Sequence, residues 1–163
     1  VDTWEKRMMS YGSGNKQENY QAEMAKRAVA NGFLFGKGPG KGHVKNDLYS
    51  AQSDFIYASS IEEFGSIIGG IVLLILYMIL FFRAIRIMNK VESKFAAHLV
   101  FGLSFMLIFQ SFINMGVGVN LLPVTGQPLP LISMGGTSIL FTCFSLGIIL
   151  NVSSTVYNDS VDA

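Results

Sequence analysis

From Leu99 to Tyr157 the chain carries no Asp, Glu, Lys or Arg. A helix crosses an apolar bilayer core of about 30 Å with about 20 residues, so this run is too long for one crossing and long enough for two. Its punctuation falls at Asn114, Asn120, Pro123, Gly126, Pro128 and Pro130, which predicts spans over 97–116 and 131–151 around a turn at 117–130. A second charge-free run, Phe64 to Phe82, predicts a span over 64–82. Gly69-Gly70 inside it is tolerated in lipid and permits close helix contact. The expected fold class is all-α: a polytopic membrane helical bundle with a large extracytoplasmic loop and three transmembrane helices.

The charged residues sit where that reading needs them. Only 14% of the 163 residues are charged, against about 25% in a soluble domain. Eight of the twelve Lys and Arg precede residue 50 and none follows Lys94. Arg83, Arg86, Lys90 and Lys94, opposed only by Glu92, mark 83–96 as a cytoplasmic loop, because short basic loops stay inside. Segment 1–63 is then expected outside and the tail, 152–163, in the cytoplasm. A net charge of +1 with no basic stripe interleaved with aromatics gives no support to nucleic-acid binding. The single cysteine, Cys143, offers neither a disulfide framework nor metal-ligand spacing and reads as a small apolar residue in a membrane helix. Val1 is not an initiator and no leader pattern precedes it, so the chain reads as a piece of something longer.

Segment 1–63 holds the polar chemistry. Residues 1–15, with Trp4 and a Gly-Ser-Gly, read as an aqueous or interfacial loop. From 17 to 31 the spacing of Tyr20, Met24, Ala28 and Asn31 against Glu18, Glu23, Lys26 and Arg27 predicts an amphipathic helix closed by Asn31-Gly32, lying on the membrane or across the bundle. Gly32 to Lys45 follows, with five glycines and three lysines. It is either a plain flexible turn or a backbone cradle for an anion such as pyrophosphate, with Lys37, Lys41 and Lys45 as counter-charges. Asp54, Glu62 and Glu63 then stand immediately before the first charge-free run. A carboxylate at such a mouth acts as a base or binds a cation when partly desolvated. Asp54 is equally placed to be a plain helix N-cap.

In order and spacing over residues 18–152, the motifs resemble the C-terminal part of the SEDS family, the FtsW- and RodA-like cell-wall polymerases. They are Tyr20-Gln21, Gly36-x-Gly38-x-Gly40, Ser53-Asp54-Phe55-Ile56-Tyr57-Ala58, Glu62-Glu63-x-Gly65, Asn114-x-Gly116, Leu122-Pro123-x-x-Gly126 and Leu129-Pro130-Leu131-Ile132-Ser133-x-Gly135-Gly136-x-Ser138. Two departures stand out: Leu48-Tyr49-Ser50-Ala51 lacks the family's usual proline, and Met134 replaces an aromatic.

The resemblance implies a multi-pass protein of the bacterial inner membrane, a peptidoglycan glycosyltransferase that polymerises lipid II in division or elongation. Its partners would be lipid II, undecaprenyl-linked glycan, membrane lipid and a class B penicillin-binding protein. It makes Asp54 the essential acid. Asp54 is then expected to be the base that deprotonates a sugar hydroxyl while a lipid pyrophosphate departs with inversion. Gln21, Gly36, Gly38, Gly40 and the three lysines would contact substrate. Glu62, Glu63, Asn114, Pro130, Ser133, Gly135 and Gly136 would line the cavity. A divalent cation, Mg or Mn, is the one cofactor this chemistry invites, its ligands unassigned. His43 and His98 have no expected role. Two other classes fit the same pattern, a transporter of the lipid-linked precursor and a non-catalytic scaffold. A transporter calls for ionisable groups near the midplane, and these spans have none. The segment alone is expected to be inactive.

Overall fold

The computed structural model describes residues 16–40 and 55–161. Asp54, Lys41, Lys45, His43, the expected loop over 1–15 and the side chain of Gln21 lie outside the described residues. Among those described, every regular element is helical: α1 Lys16–Gly32, α2 Ile56–Gly65, a π-helical turn Ser66–Val72, α3 Leu73–Met88, α4 Lys94–Gly118 and α5 Gly136–Val161. By length and composition three stretches can cross a membrane: Ile56–Met88, Lys94–Gly118 and Gly136–Val156.

The first of these is not one straight rod. Thirteen residues of α-helix would hold Tyr57 and Gly70 about 20 Å apart, yet the Tyr57 hydroxyl donates to the Gly70 carbonyl at 3.3 Å. A Cβ on Gly69 would collide with the Ser60 carbonyl. The chain therefore folds back at Gly65, whose φ of 85° and ψ of 167° lie outside helical space. α2 is one arm of a helical hairpin, and the π turn running into α3 is the other. The span expected over 64–82 thus begins past the hairpin apex and extends to Met88. α4 covers more than 97–116, taking in residues 117–118 that read as turn, and Asn120 at φ 59° follows its end. α5 starts at Gly136 because 131–135 stay in a turn.

α1 lies parallel to α2, with Ala25 and Ala28 packed among Phe55 and Ala58 and Gly32 against Ile61. The buried stripe is thus Ala25, Ala28 and Gly32, while Tyr20 is 48% exposed and Asn31 is exposed. The backbones approach so closely that only small residues fit the seam, which turns the expected Tyr20 and Asn31 face outwards. α4 carries Ser104, Ser111 and Gly118, each seven residues apart, on its buried face. α5 is joined to the bundle near Ile149, which packs with Ala84 and Val100; its Leu140 and Phe141 are exposed.

Candidate functional site

At the end of the bundle away from Arg83–Lys94, two irregular segments pack against the hairpin: a strap over its apex and a proline-rich re-entry before α5. The strap, Phe33–Gly38, follows α1 directly. Lys37 and Gly38 donate their backbone N–H groups to the carbonyls of Glu62 and Glu63 at 3.0 Å each, and Ser66 N–H donates to the Phe33 carbonyl at 2.8 Å. The last carbonyls of α2, left without partners inside their own helix, are thereby capped by a neighbouring loop. A Cβ at Gly36 would strike Glu63 and Gly65, and one at Gly65 would strike Leu34 and Gly36. The glycines at 36 and 65 are there because two backbones touch.

That changes the reading of the glycine loop. The N–H groups at 37 and 38, expected to face an anion, are spent on the helix end. Gly40 has nothing within 4 Å of an added Cβ. Lys37 Nζ lies 3.5 Å from Glu62 Oε1, and the Glu62 side chain is fully buried while that of Lys37 is 33% exposed. Oε1 of Glu63 is buried without a hydrogen-bond partner. Among the described residues no group of three or more His, Cys, Asp or Glu comes together, and Glu62 already faces a lysine. The described residues do not make a ready divalent-cation site.

The re-entry is clamped by side chains of two crossing helices. Asn114 Nδ2 donates to the Gln127 carbonyl at 2.7 Å and Gln110 Nε2 to the Pro128 carbonyl at 3.0 Å. The Tyr77 hydroxyl donates to the Pro130 carbonyl. Leu129 N–H donates to Ser133 Oγ at 2.7 Å, closing the turn from within. Carbonyls that no helix satisfies survive at membrane depth only when protein supplies donors, and all four residues from 127 to 130 receive one, Leu129 from the backbone N–H groups of Ile132 and Ser133. Pro130 and Ser133 are fully buried in this knot. Leu129 packs with Tyr57, Ile61 and Tyr77, so the re-entry rests on the inner face of the hairpin.

The expected site residues therefore divide. Lys37, Gly36 and Gly38 meet Glu62 and Glu63 at the apex; Asn114, Pro130 and Ser133 belong to the clamped re-entry. Gly135 adjoins Ser138, and Gly136 is open. A cavity of about 300 Å³ between α4 and α5 is lined instead by Gln110, Gln127, Pro128, Thr137, Ser138 and Thr142, among others. Two groups went unremarked in the sequence, Tyr77 and Gln110, and Tyr57 was quoted only within a motif. A polar group within an uncharged span turns towards the bundle interior, and that signal was available for Tyr77 and Gln110.

The helices define a polytopic helical membrane protein with a re-entrant, side-chain-clamped segment beside a broken span. A family model described as cell cycle protein, covering FtsW, RodA and SpoVE, matches residues 2–158. The chain is 42% identical over 137 residues to the probable peptidoglycan glycosyltransferase FtsW of Francisella salina, covering 82% of this chain and 34% of that protein. It is 40% identical over 127 residues to stage V sporulation protein E of Bacillus subtilis strain 168, covering 77% of this chain and 34% of that protein. Among solved structures, a chain from "Structural coordination of polymerization and crosslinking by a peptidoglycan synthase complex" superposes with a TM-score of 0.70 at 26% identity, over 93% of this chain and 42% of that one. The chain belongs to the FtsW/RodA/SpoVE family. It spans about a third of the length of the relatives it matches.

Proposed function

We propose that the whole protein carrying this chain is a peptidoglycan glycosyltransferase that polymerises lipid II at the outer face of the bacterial cytoplasmic membrane. The reading is supported by the placement of Phe55, 1% exposed and wedged among Ala25, Ala28, Ala58 and Val117. That anchor fixes the start of α2 at the end of the bundle away from the basic loop. Asp54 directly precedes Phe55 in the sequence. Basic loops stay in the cytoplasm, so this end faces out, where lipid-linked precursors await polymerisation. Asp54 takes the proton of the acceptor sugar hydroxyl as that oxygen attacks the donor's anomeric carbon, and the lipid pyrophosphate leaves with its bonding pair, inverting the centre. Lys41 and Lys45 are the cations proposed for the departing pyrophosphate; Lys37 already faces Glu62. A class B penicillin-binding protein, taking up the strands for crosslinking, is the proposed partner, in keeping with the synthase complex that the fold matches.

The experiment is incubation of the purified full-length parent with lipid II, in detergent for chain growth and in sealed vesicles for translocation. Glycan polymer in the first is the expected result. Movement of lipid II across the vesicle with no polymer would replace the enzyme reading with a transporter.

A further inference from the structure

We propose that Lys37 and Glu62 form a positioning clasp that locks the strap onto the hairpin apex and so sets where α2 carries the residues at its start. This rests on the glycosyltransferase reading for its consequence, not for its geometry. Burying a carboxylate without a counter-charge is costly, and the cost falls on whichever state leaves it alone. Glu62 is wholly buried on α2, and Lys37 reaches it from the strap at 3.5 Å. Its own N–H and that of Gly38 bind the carbonyls of Glu62 and Glu63. Charge and backbone thus hold the same two elements at one point. α2 is a single rigid arm of ten residues, about 15 Å long, so a shift at its apex is carried to Phe55 at its other end.

Lys37 is a positioning residue in this account, acting through α2 and touching no substrate. The pair is asymmetric, which gives the test its edge. Removing Lys37 takes a cation away from a buried carboxylate, whereas removing the Glu62 charge leaves a lysine that can turn to solvent. In the full-length parent, Lys37→Met, Glu62→Gln, the double variant and Lys37→Arg are compared for kcat and KM on lipid II and for melting temperature. Lys37→Met is expected to lower kcat at least about tenfold, or about 1.4 kcal/mol, with KM held within about twofold, as loss of an alignment rather than of a contact would do. It also lowers the melting temperature. Adding Glu62→Gln is expected to restore most of both losses, and Lys37→Arg to retain both. A raised KM at unchanged kcat in Lys37→Met would make Lys37 a substrate contact and overturn the clasp. So would failure of Glu62→Gln to rescue Lys37→Met in melting temperature. If the parent makes no polymer at all, the glycosyltransferase reading fails, while the melting temperatures still decide the clasp either way.

Discussion

Gly65 has a φ of 85°, and an added Cβ would run into the backbone of Leu34 and Gly36. Strain of that kind costs about 1–3 kcal/mol before the collision is counted, so Gly65→Ala should lower the melting temperature of the detergent-purified parent clearly. Gly102 is the control, because it sits in α4 with nothing within 4 Å of an added Cβ. Gly102→Ala should be neutral or stabilising by up to about 1 kcal/mol. Equal effects at both positions would contradict the close crossing at the apex. Tyr77 poses a second residue-scale question. Its hydroxyl serves the buried Pro130 carbonyl, and Tyr77→Phe strands that oxygen at a cost of about 1–3 kcal/mol. A Tyr77→Phe protein that melts like the wild type would remove the clamp from the account.

The hairpin of α2 and the π turn is the element on which the site depends, and cross-linking tests it directly. A Cβ on Gly70 would lie 3.7 Å from Cγ1 of Ile61, the atom that a cysteine sulfur would replace. In an unbroken helix nine residues would separate the two by about 13 Å. Ile61→Cys with Gly70→Cys, in a Cys143→Ser background, should therefore cross-link on oxidation; no cross-link would mean a continuous span. Little of this hairpin was legible in the sequence. Ile56 to Met88 is apolar enough to pass as one span, and hydropathy is blind to direction reversal. The signal was present in Gly65, quoted only within a motif, and in Gly69, which read as a packing glycine; both prove to be points where two backbones touch. α1 was legible as a helix and half of its expected face, Met24 and Ala28, packs inward; Tyr20 and Asn31 do not, because the closest part of the seam with α2, at Ala25, Ala28 and Gly32, admits only small residues.

At the scale of the molecule, the proposed orientation rests on Arg83, Arg86, Lys90 and Lys94. A cysteine placed at Lys90 should be shielded from a membrane-impermeant maleimide in intact spheroplasts, and one at Leu121, 77% exposed, should be labelled. The reverse pattern would put the strap and the re-entry in the cytoplasm. The helical membrane class was legible because absence of charge over such lengths has few other solutions. The re-entry was legible as irregular from its prolines, though the donors that hold it, Tyr77, Gln110 and Asn114, come from elsewhere in the chain and no local pattern joins them. The role of Asp54 rests on family motifs and on the anchoring of its neighbour Phe55. The most direct measurement is glycan polymerisation from lipid II by the full-length parent carrying Asp54→Asn or Asp54→Ala at matched folding. Asn caps a helix as well as Asp does but cannot take a proton. Both variants should bind lipid II and make no polymer. Polymer from Asp54→Asn at the wild-type rate would reduce Asp54 to a helix cap and contradict its role as the base.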